Sequence, residues 1–573
     1  MKTKWQLIFS FVKSNKLLVS IAFTSGFFYN ILTLLIPVSL GRFYEFNFDF
    51  SSRRLQLLEA IPFIRTESFI NFLIFFLILV TIRFVFEYIN KYVIAIIGEG
   101  FAKDLREELF KHQLQINTSI YDKKGIGKYL LRYSGDLKSI QNYVTKGLLR
   151  FSQDFFLITI LLITIAYIDN ILGFIVAISI GVSILLLFFI NNLLYTISVD
   201  RRNQRSAMLT FVNTRLRSIL SIKVFNKYSP EEKRYIKRSD KLFAVGKRYQ
   251  RVISLIQSFI PMVTYLMLAL LMWYVYYQKT SADSTFDGTL LLILILLIIS
   301  FLPILRRTLR VSIIWKLGNI SFEKLLNIFS LEAENNIPFE NIDLADKELK
   351  LKNISFFYPI SNNLIFDNVN ITIYPKKTTL ILGESGTGKN TLINLFLKIY
   401  NPTNGNIHFG DYNYEDLAEK TIRKNIAVIS NAYPLYGRTV YEAIVYNRKK
   451  EKETKVIKLL KDLQQFEDEN NILGLNDPIG DMGSQLTNGQ KKILMYCRAL
   501  LTNKPYLIIN QPFRGLNHKT IDHLKNILNS LNNNKTLIIL DVDVIDGLKT
   551  DQSYVIQNKL IKKQSEISSG NKK

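Results

Sequence analysis

The sequence predicts two parts of different class: a membrane α-helical domain over residues 1–320, with six transmembrane helices carrying long cytoplasmic extensions, and an α/β domain over residues 346–562. A linker is expected at 321–345 and a disordered tail at 563–573, where QSEISSGNKK is almost wholly polar. Three observations predict this. Long uncharged apolar runs are confined to residues before about 310. Two basic stretches between those runs keep a helical periodicity. A glycine-rich loop stands between an apolar strand and an apolar helix near residue 385.

At 573 residues the chain is too long for one ordinary core. A mean hydropathy of +0.14 beside 21% charged residues means that the apolar and charged residues are segregated along the chain. The net charge of +26 raises nucleic-acid binding, but the basic residues lie mainly between apolar spans, not on a folded face with interleaved aromatics. No nucleic-acid partner is expected. The single cysteine, Cys497, rules out an intrachain disulfide and any multi-cysteine metal site, and reads as a buried helix residue.

A helix needs about 20 apolar residues to cross the hydrocarbon core. Runs of that kind lie at 17–40, 68–82 (continuing past Arg83 and Glu87), 155–168, 171–199, 252–278 and 288–305. The third reaches spanning length only with 148–154 included. Orientation follows from Lys and Arg. Residues 101–150 hold ten of them and 200–251 hold fifteen, whereas 278–287 holds only Lys279. The two basic stretches, both termini and the α/β domain are therefore expected in the cytoplasm, around a multi-pass plasma-membrane domain bathed in lipid. MKTKWQLIFSFVKSNK reads as an interfacial helix before a retained first span, with no cleavage site evident after it. Arg83 and Glu87, four apart, share a helix face. Charges within a span are candidates for substrate contact, and an ordinary i,i+4 pair near the inner interface is the alternative.

Helical basic stretches of this length imply spans that continue into the cytoplasm. The pattern resembles the membrane half of an ABC exporter, whose intracellular helices end in short coupling helices. YDKKGIGKYLLRYSGDLKSI, residues 121–140, resembles the first intracellular loop, including Gly127 and Asp136. RLRSILSIKVFNKYSPEEKRY, residues 215–235, is similar to the second, with Arg215 where those proteins usually carry an acid.

In the α/β half the sharpest motif is LGESGTGKNT. Gly383, Gly386 and Gly388 let backbone N–H groups turn inward around a phosphate, with Glu384, Ser385 and Thr387 between them, and Lys389 adds a positive charge at the helix start. The strict pattern has Ser or Thr next, to hold magnesium. Asn390 stands there and Thr391 comes one residue late, so either is a weak magnesium candidate. A glycine-rich surface turn is the alternative for the motif alone. Its company decides for a P-loop NTPase domain: residues 347–560 resemble the ABC ATPase layout, with IGDMGSQLTNGQKKILMYCRALLTNKPYLIINQPFRGLN and KTLIILDVDV in order.

That resemblance implies roles by position. Tyr358, in FFYP, matches the aromatic that stacks on adenine, with a core tyrosine as the alternative. Leu486, Thr487, Asn488, Gly489 and Gln490 match the family's signature, which caps a nucleotide held by the opposite subunit. Where the family has the magnesium-supporting Asp and the Glu that polarises water, this chain has Asn510 and Gln511. The γ-phosphate His falls at Val542, the inter-subdomain Gln at Asn431 and the D-loop acid at Asn517. An amide keeps a carboxylate's size but offers no charge and takes no proton near neutral pH. Losing one positioned base costs about 10²–10⁴ in rate. The resemblance thus implies ATP held at a weakened magnesium site and negligible hydrolysis there.

Three functions are compatible with this pattern. The first is a degenerate exporter half-transporter that pairs with an intact second half, a heterodimer hydrolysing ATP at the site that LTNGQ completes. The second is a non-transporting membrane scaffold or regulator with a pseudo-ATPase domain. The third, a weakly active homodimeric exporter, is disfavoured by the amides. Peptide, lipid and drug-like cargo all fit the membrane half.

Overall fold

The computed structural model describes residues 3–47, 69–124, 129, 132–168, 170–280, 288–334, 337–338, 340–359, 363–446 and 453–564. Gly127 and residues 565–573 of the tail expected at 563–573 lie outside them, whereas Lys563, expected in that tail, ends a strand. The chain forms two compact units: Met1–Leu114 with Ile126–Leu331, and Gln115–Gly125 with Glu332–Lys573.

The first unit is helical. Helix α1 (Lys4–Ser14) is the expected short amphipathic helix, with a capping box between Thr3 and Gln6 and with Leu7, Ile8 and Phe11 buried. Long helices cover all six apolar runs: α2 (Lys16–Asn47), α3 (Phe69–Gln113), α6 (Phe151–Ile168), α7 (Asn170–Arg217), α9 (Tyr228–Thr280) and α10 (Gly288–Phe329). Among the described residues, four helical stretches are long and apolar enough to cross a membrane, and the apolar part of α7, Asn170–Val182, is shorter. At 45 residues α3 is about 68 Å long, far beyond a bilayer core, so it carries the cytoplasmic extension expected of it. The expected boundary at residue 320 falls inside α10, which continues to Phe329.

Buried residues four apart mark the packed faces: Leu157, Leu161 and Ile165 on α6 meet Leu172, Val176 and Ile180 on α7. Phe84, Phe155 and Phe174 lie on outward faces, as helices in lipid allow. Polar side chains tie the bundle internally. Asp136, just before α5 (Leu137–Asn142), is buried and pairs with Arg132, with Arg202 of α7 at 3.0 Å and with Ser321 of α10 at 3.0 Å. Asp154 of α6 takes a two-pronged bond from Arg307 of α10, at 2.6 and 3.0 Å. Arg83 and Glu87 form the i,i+4 pair at 3.2 Å; Lys91 joins Glu87, and Thr33 of α2 accepts from Arg83 at 3.1 Å. Arg215 pairs with Glu231 across the bend occupied by the short helix α8 (Ile219–Val224).

The second unit holds two sheets. Strands β1 (Leu349–Phe357), β2 (Leu364–Ile373), β4 (Asn404–Phe409) and β5 (Tyr412–Asn413) form one, in the order β2-β1-β4-β5. The other runs β10-β9-β3-β8-β7-β6, from β3 (Thr378–Gly383), β6 (Ile426–Ile429), β7 (Tyr506–Asn510), β8 (Thr536–Asp541), β9 (Gln552–Gln557) and β10 (Leu560–Lys563). In its parallel core, successive residues face opposite ways. Ile381, Ile508 and Ile538 enter one core, and Leu380, Leu382, Leu507, Ile509, Leu537 and Ile539 the other. Both faces are covered, so these strands read as continuous apolar runs instead of alternating ones. Truncating one such residue to alanine costs about 2–5 kcal/mol.

Residues 115–125 belong to this second unit although the flanking chain belongs to the first. The short helix α4 (Thr118–Lys124) is held there by a hydrogen bond from Tyr400 Oη to Asp122, by the Ile116–Ala333 bridge and by Asn117 N–H to the Glu332 carbonyl at 3.1 Å. Of the loop expected at 121–140, residues 121–125 thus belong to the α/β unit and the remainder to the helical unit.

Candidate functional site

Three adjacent parallel strands, β3, β8 and β7, end at Gly383, Asp541 and Asn510, and ligands in such sheets bind beyond the carboxyl ends of the strands. The loop after β3 leads into α11 (Lys389–Phe396). Gly388 has φ +108°, and a Cβ there would stand 2.9 Å from Ile365 and Phe366, so only glycine lets the loop close over the β1–β2 side. Lys389 is buried and donates to the carbonyls of Gly383 and Glu384, the latter at 2.9 Å. Burial lowers its pKa, and the nearby Asp541 opposes that shift. Thr387 closes the turn onto the Glu384 carbonyl at 2.9 Å, while Glu384, Ser385 and Gly386 are exposed.

The two magnesium candidates face different surroundings. Asn390 is exposed, and its Oδ1 accepts from Asn510 Nδ2 at 2.7 Å. Thr391 is buried, with its hydroxyl shared with Tyr358 Oη at 2.9 Å. Tyr358 also packs edge-on to Phe356 and Tyr400, at ring distances of 5.0 and 5.3 Å, so its ring serves the core as well as the mouth of the site.

Asn510 also donates to Ser430 Oγ at 3.4 Å, while its buried Oδ1 has no hydrogen-bond partner among the described residues. Gln511 follows with φ +50°, a left-handed conformation that strains a non-glycine residue, and its Oε1 is held by Arg514 at 3.1 Å. Gln511, expected at the place of the family's base, is therefore a neutral amide already engaged by a guanidinium. Asn431 and Val542 are exposed near the strand ends. Asn517 caps α13 (His518–Leu531), accepting from Thr520 N–H at 2.7 Å and donating to Glu467 at 3.0 Å, which accounts structurally for an asparagine there.

The stretch expected to match the family signature leads into a capped helix. Thr487 and Gln490 form a capping box at the start of α12 (Asn488–Leu501), so threonine replaces serine without loss of the cap. A Cβ on Gly489 would lie 2.6 Å from the Gly515 carbonyl, so this glycine is required for the close approach of the two loops. Cys497 is buried in α12, as expected, and burial pushes its thiol pKa up.

Sequence reasoning missed four residues: Ser430, Lys492, Arg514 and Asp541. Lys492 is fully buried, its Nζ donating to the Asn510 carbonyl at 3.0 Å, and burial depresses its pKa to about 8 against the opposing charge of Asp541. Asp541 is half-buried, and desolvation raises its pKa while the Val542 N–H, Lys389 and Lys492 pull it down. A legible signal existed for it: TLIILD is an apolar buried strand that ends in an acid, parallel to YLIIN.

The loop implies a nucleoside triphosphate with magnesium. The cradle of glycines and Lys389 fits the phosphates, and the orphaned Asn510 Oδ1 together with the Asn390 carbonyl offers neutral oxygens on the metal side. Among the described residues no cluster of three acidic, histidine or cysteine side chains could hold a metal unaided.

Residues 19–302 match the family model described as the ABC transporter transmembrane region, and residues 366–514 match the model described as ABC transporter. The chain is 23% identical over 489 residues to the ATP-dependent lipid A-core flippase 1 of Colwellia psychrerythraea, covering 82% of this chain and 79% of that one. It is also 23% identical over 485 residues to the ATP-dependent lipid A-core flippase of Salmonella typhimurium, covering 84% and 83%. A bacterial Atm1-family ABC exporter with ATP bound has the same fold, with a TM-score of 0.80 at 15% identity over 95% of each chain.

Proposed function

The chain belongs to the ABC transporter family, as an exporter-type membrane domain fused to its ATP-binding domain, and from that membership we propose that it is the non-hydrolysing half of a two-chain exporter. Members of this family sit in the membrane with the ATP-binding domain in the cytoplasm and act as dimers. In the proposed pair, this chain's phosphate loop holds ATP without cleaving it. Its signature helix completes the site of a catalytically intact partner half-transporter, and closure of the two ATP-binding domains moves the membrane helices through the loops at α4 and α8.

One observation carries the reading: Asn510 and Asn390 bond to each other as two amides while Lys389 and its loop keep their form. The amides supply no base and no charge. The loop binds phosphate by backbone N–H groups and Lys389, which need neither. The intact capping box at Thr487 and the close approach at Gly489 support a working signature on the partner's side. The short helix α8 and the residue that follows it support pairing, since Leu220, Val224 and Phe225 are 74%, 76% and 68% exposed in the single chain.

The test is ATP turnover by the purified chain alone and after co-purification with a half-transporter carrying intact motifs. Turnover in the pair alone is expected. Turnover by the lone chain would indicate an active homodimer, and nucleotide binding in neither preparation would indicate a scaffold.

A further inference from the structure

The acid missing from β7 has a counterpart one strand away. In the parallel register Leu382 lies beside Asp541 and Leu540 beside Asn510, so Asp541 ends the strand between the phosphate-loop strand and the strand of the two amides. Adjacent strands are about 4.8 Å apart, which places Asp541 one strand from each of those ends, on the sheet face of Leu382, while Asn510 shares the face of Leu540. Lys389 of the phosphate loop and Lys492, whose Nζ donates to the Asn510 carbonyl at 3.0 Å, are the cations whose charge acts on the Asp541 carboxylate. One carboxylate oxygen accepts from the Val542 N–H at 2.8 Å, and the residue is half-exposed at the strand end. One strand over, in register with Leu540, the Asn510 Oδ1 is buried and lacks a hydrogen-bond donor among the described residues, an acceptor available to a metal-bound water.

We propose that Asp541 supplies the negative charge for the water shell of a magnesium-bound nucleotide in this chain, the carboxylate having moved from the end of β7 to the end of β8. The inference rests on the reading that this site binds ATP. Magnesium keeps several waters and takes one or two carboxylates plus substrate phosphates, so a single acid acting through water is sufficient for holding. The relocation restores no hydrolysis, because the position that should orient the attacking water is still Gln511, held by Arg514. Asp541 is a positioning residue, and its effect appears in binding.

The test measures ATP affinity of the full chain in detergent, with magnesium and with chelator, for wild type, Asp541→Asn and the swap Asn510→Asp/Asp541→Asn. Wild type binds more tightly with magnesium. In Asp541→Asn the metal affinity of the nucleotide complex, read by manganese paramagnetic resonance, falls about 10–100-fold, the usual cost of losing an outer-shell partner. The swap regains it, which also controls for misfolding of the single variant. An unchanged magnesium effect in Asp541→Asn, with ATP still bound, overturns the inference and leaves the ATP-binding reading standing; Asp541 would then only neutralise Lys492. Failure of wild type to bind ATP under either condition overturns both.

Discussion

Asn510 Nδ2 donates to Asn390 Oδ1 at 2.7 Å, so the ends of the β7 strand and the phosphate loop are joined by two neutral amides. With a carboxylate and a hydroxyl in those places, the same gap would be closed through a metal ion. The amide pair closes it directly. The site thereby keeps its shape with amides at those two positions, while Lys389, Lys492 and Asp541 remain as charged groups near the strand ends.

Replacing Lys389 by alanine removes the one ammonium on the loop. A hydrogen bond to a charged group is worth about 1.5–3 kcal/mol, so ATP affinity should fall roughly 10–150-fold. Calorimetric titration of the purified chain with ATP checks this, and unchanged affinity would mean that the loop does not hold the phosphates.

Lys492 makes stability depend on pH. Its folded-state pKa, about 8, lies below the unfolded 10.5, so its buried charge destabilises the domain at every pH below 8, and this penalty is relieved as pH rises from about 8 towards 10.5. Lys492→Met should flatten that rise, because no group then loses a proton between about 8 and 10.5 in the folded state alone. The labelling rate of Cys497, the chain's single thiol and a buried one, reports opening of α12 when wild type and variant are compared at each pH.

Asp136 gathers Arg132, Arg202 and Ser321 from three helical elements. Neutralising it leaves Arg202, among the described residues, with the neutral Gly135 carbonyl and the Ser139 and Ser321 hydroxyls. Asp136→Asn should destabilise the helical unit by about 3–5 kcal/mol, the cost of breaking a buried ion pair. Thermal unfolding in detergent followed by tryptophan fluorescence measures it, since Trp5, Trp273 and Trp315 all lie in the helical unit.

The exposed apolar face of α8 should be silent in the lone chain and matter in the pair. Leu220→Asp with Val224→Asp is expected to leave the monomer's thermal midpoint unchanged while reducing recovery of the intact half-transporter by affinity capture at least tenfold, since two charged groups would lose solvent on docking.

The helical unit was legible because spanning helices need long apolar runs and basic connections, and both survive in a single sequence. The phosphate loop was legible for a similar reason: Gly388 and Lys389 are fixed by backbone geometry and charge. The division of the chain was not. Residues 115–125 join the α/β unit through one tyrosine bond and a strand bridge that link distant segments, and no local pattern announces them. Asn390 and Thr391 could not be told apart by spacing, because what separates them is the Tyr358 hydroxyl that engages only one. Asp541 was overlooked because it falls one residue before Val542, at a place where position matching has nothing to match; its meaning comes from the register of β3 against β8.

The most direct measurement is the fate of ATP held by the purified lone chain. After incubation with magnesium and release by denaturation, the account predicts that the bound nucleotide is recovered as intact ATP, with phosphate release no faster than in a Lys389→Ala control. Recovery as ADP, with phosphate release that falls when Gln511 is changed to alanine, would contradict it.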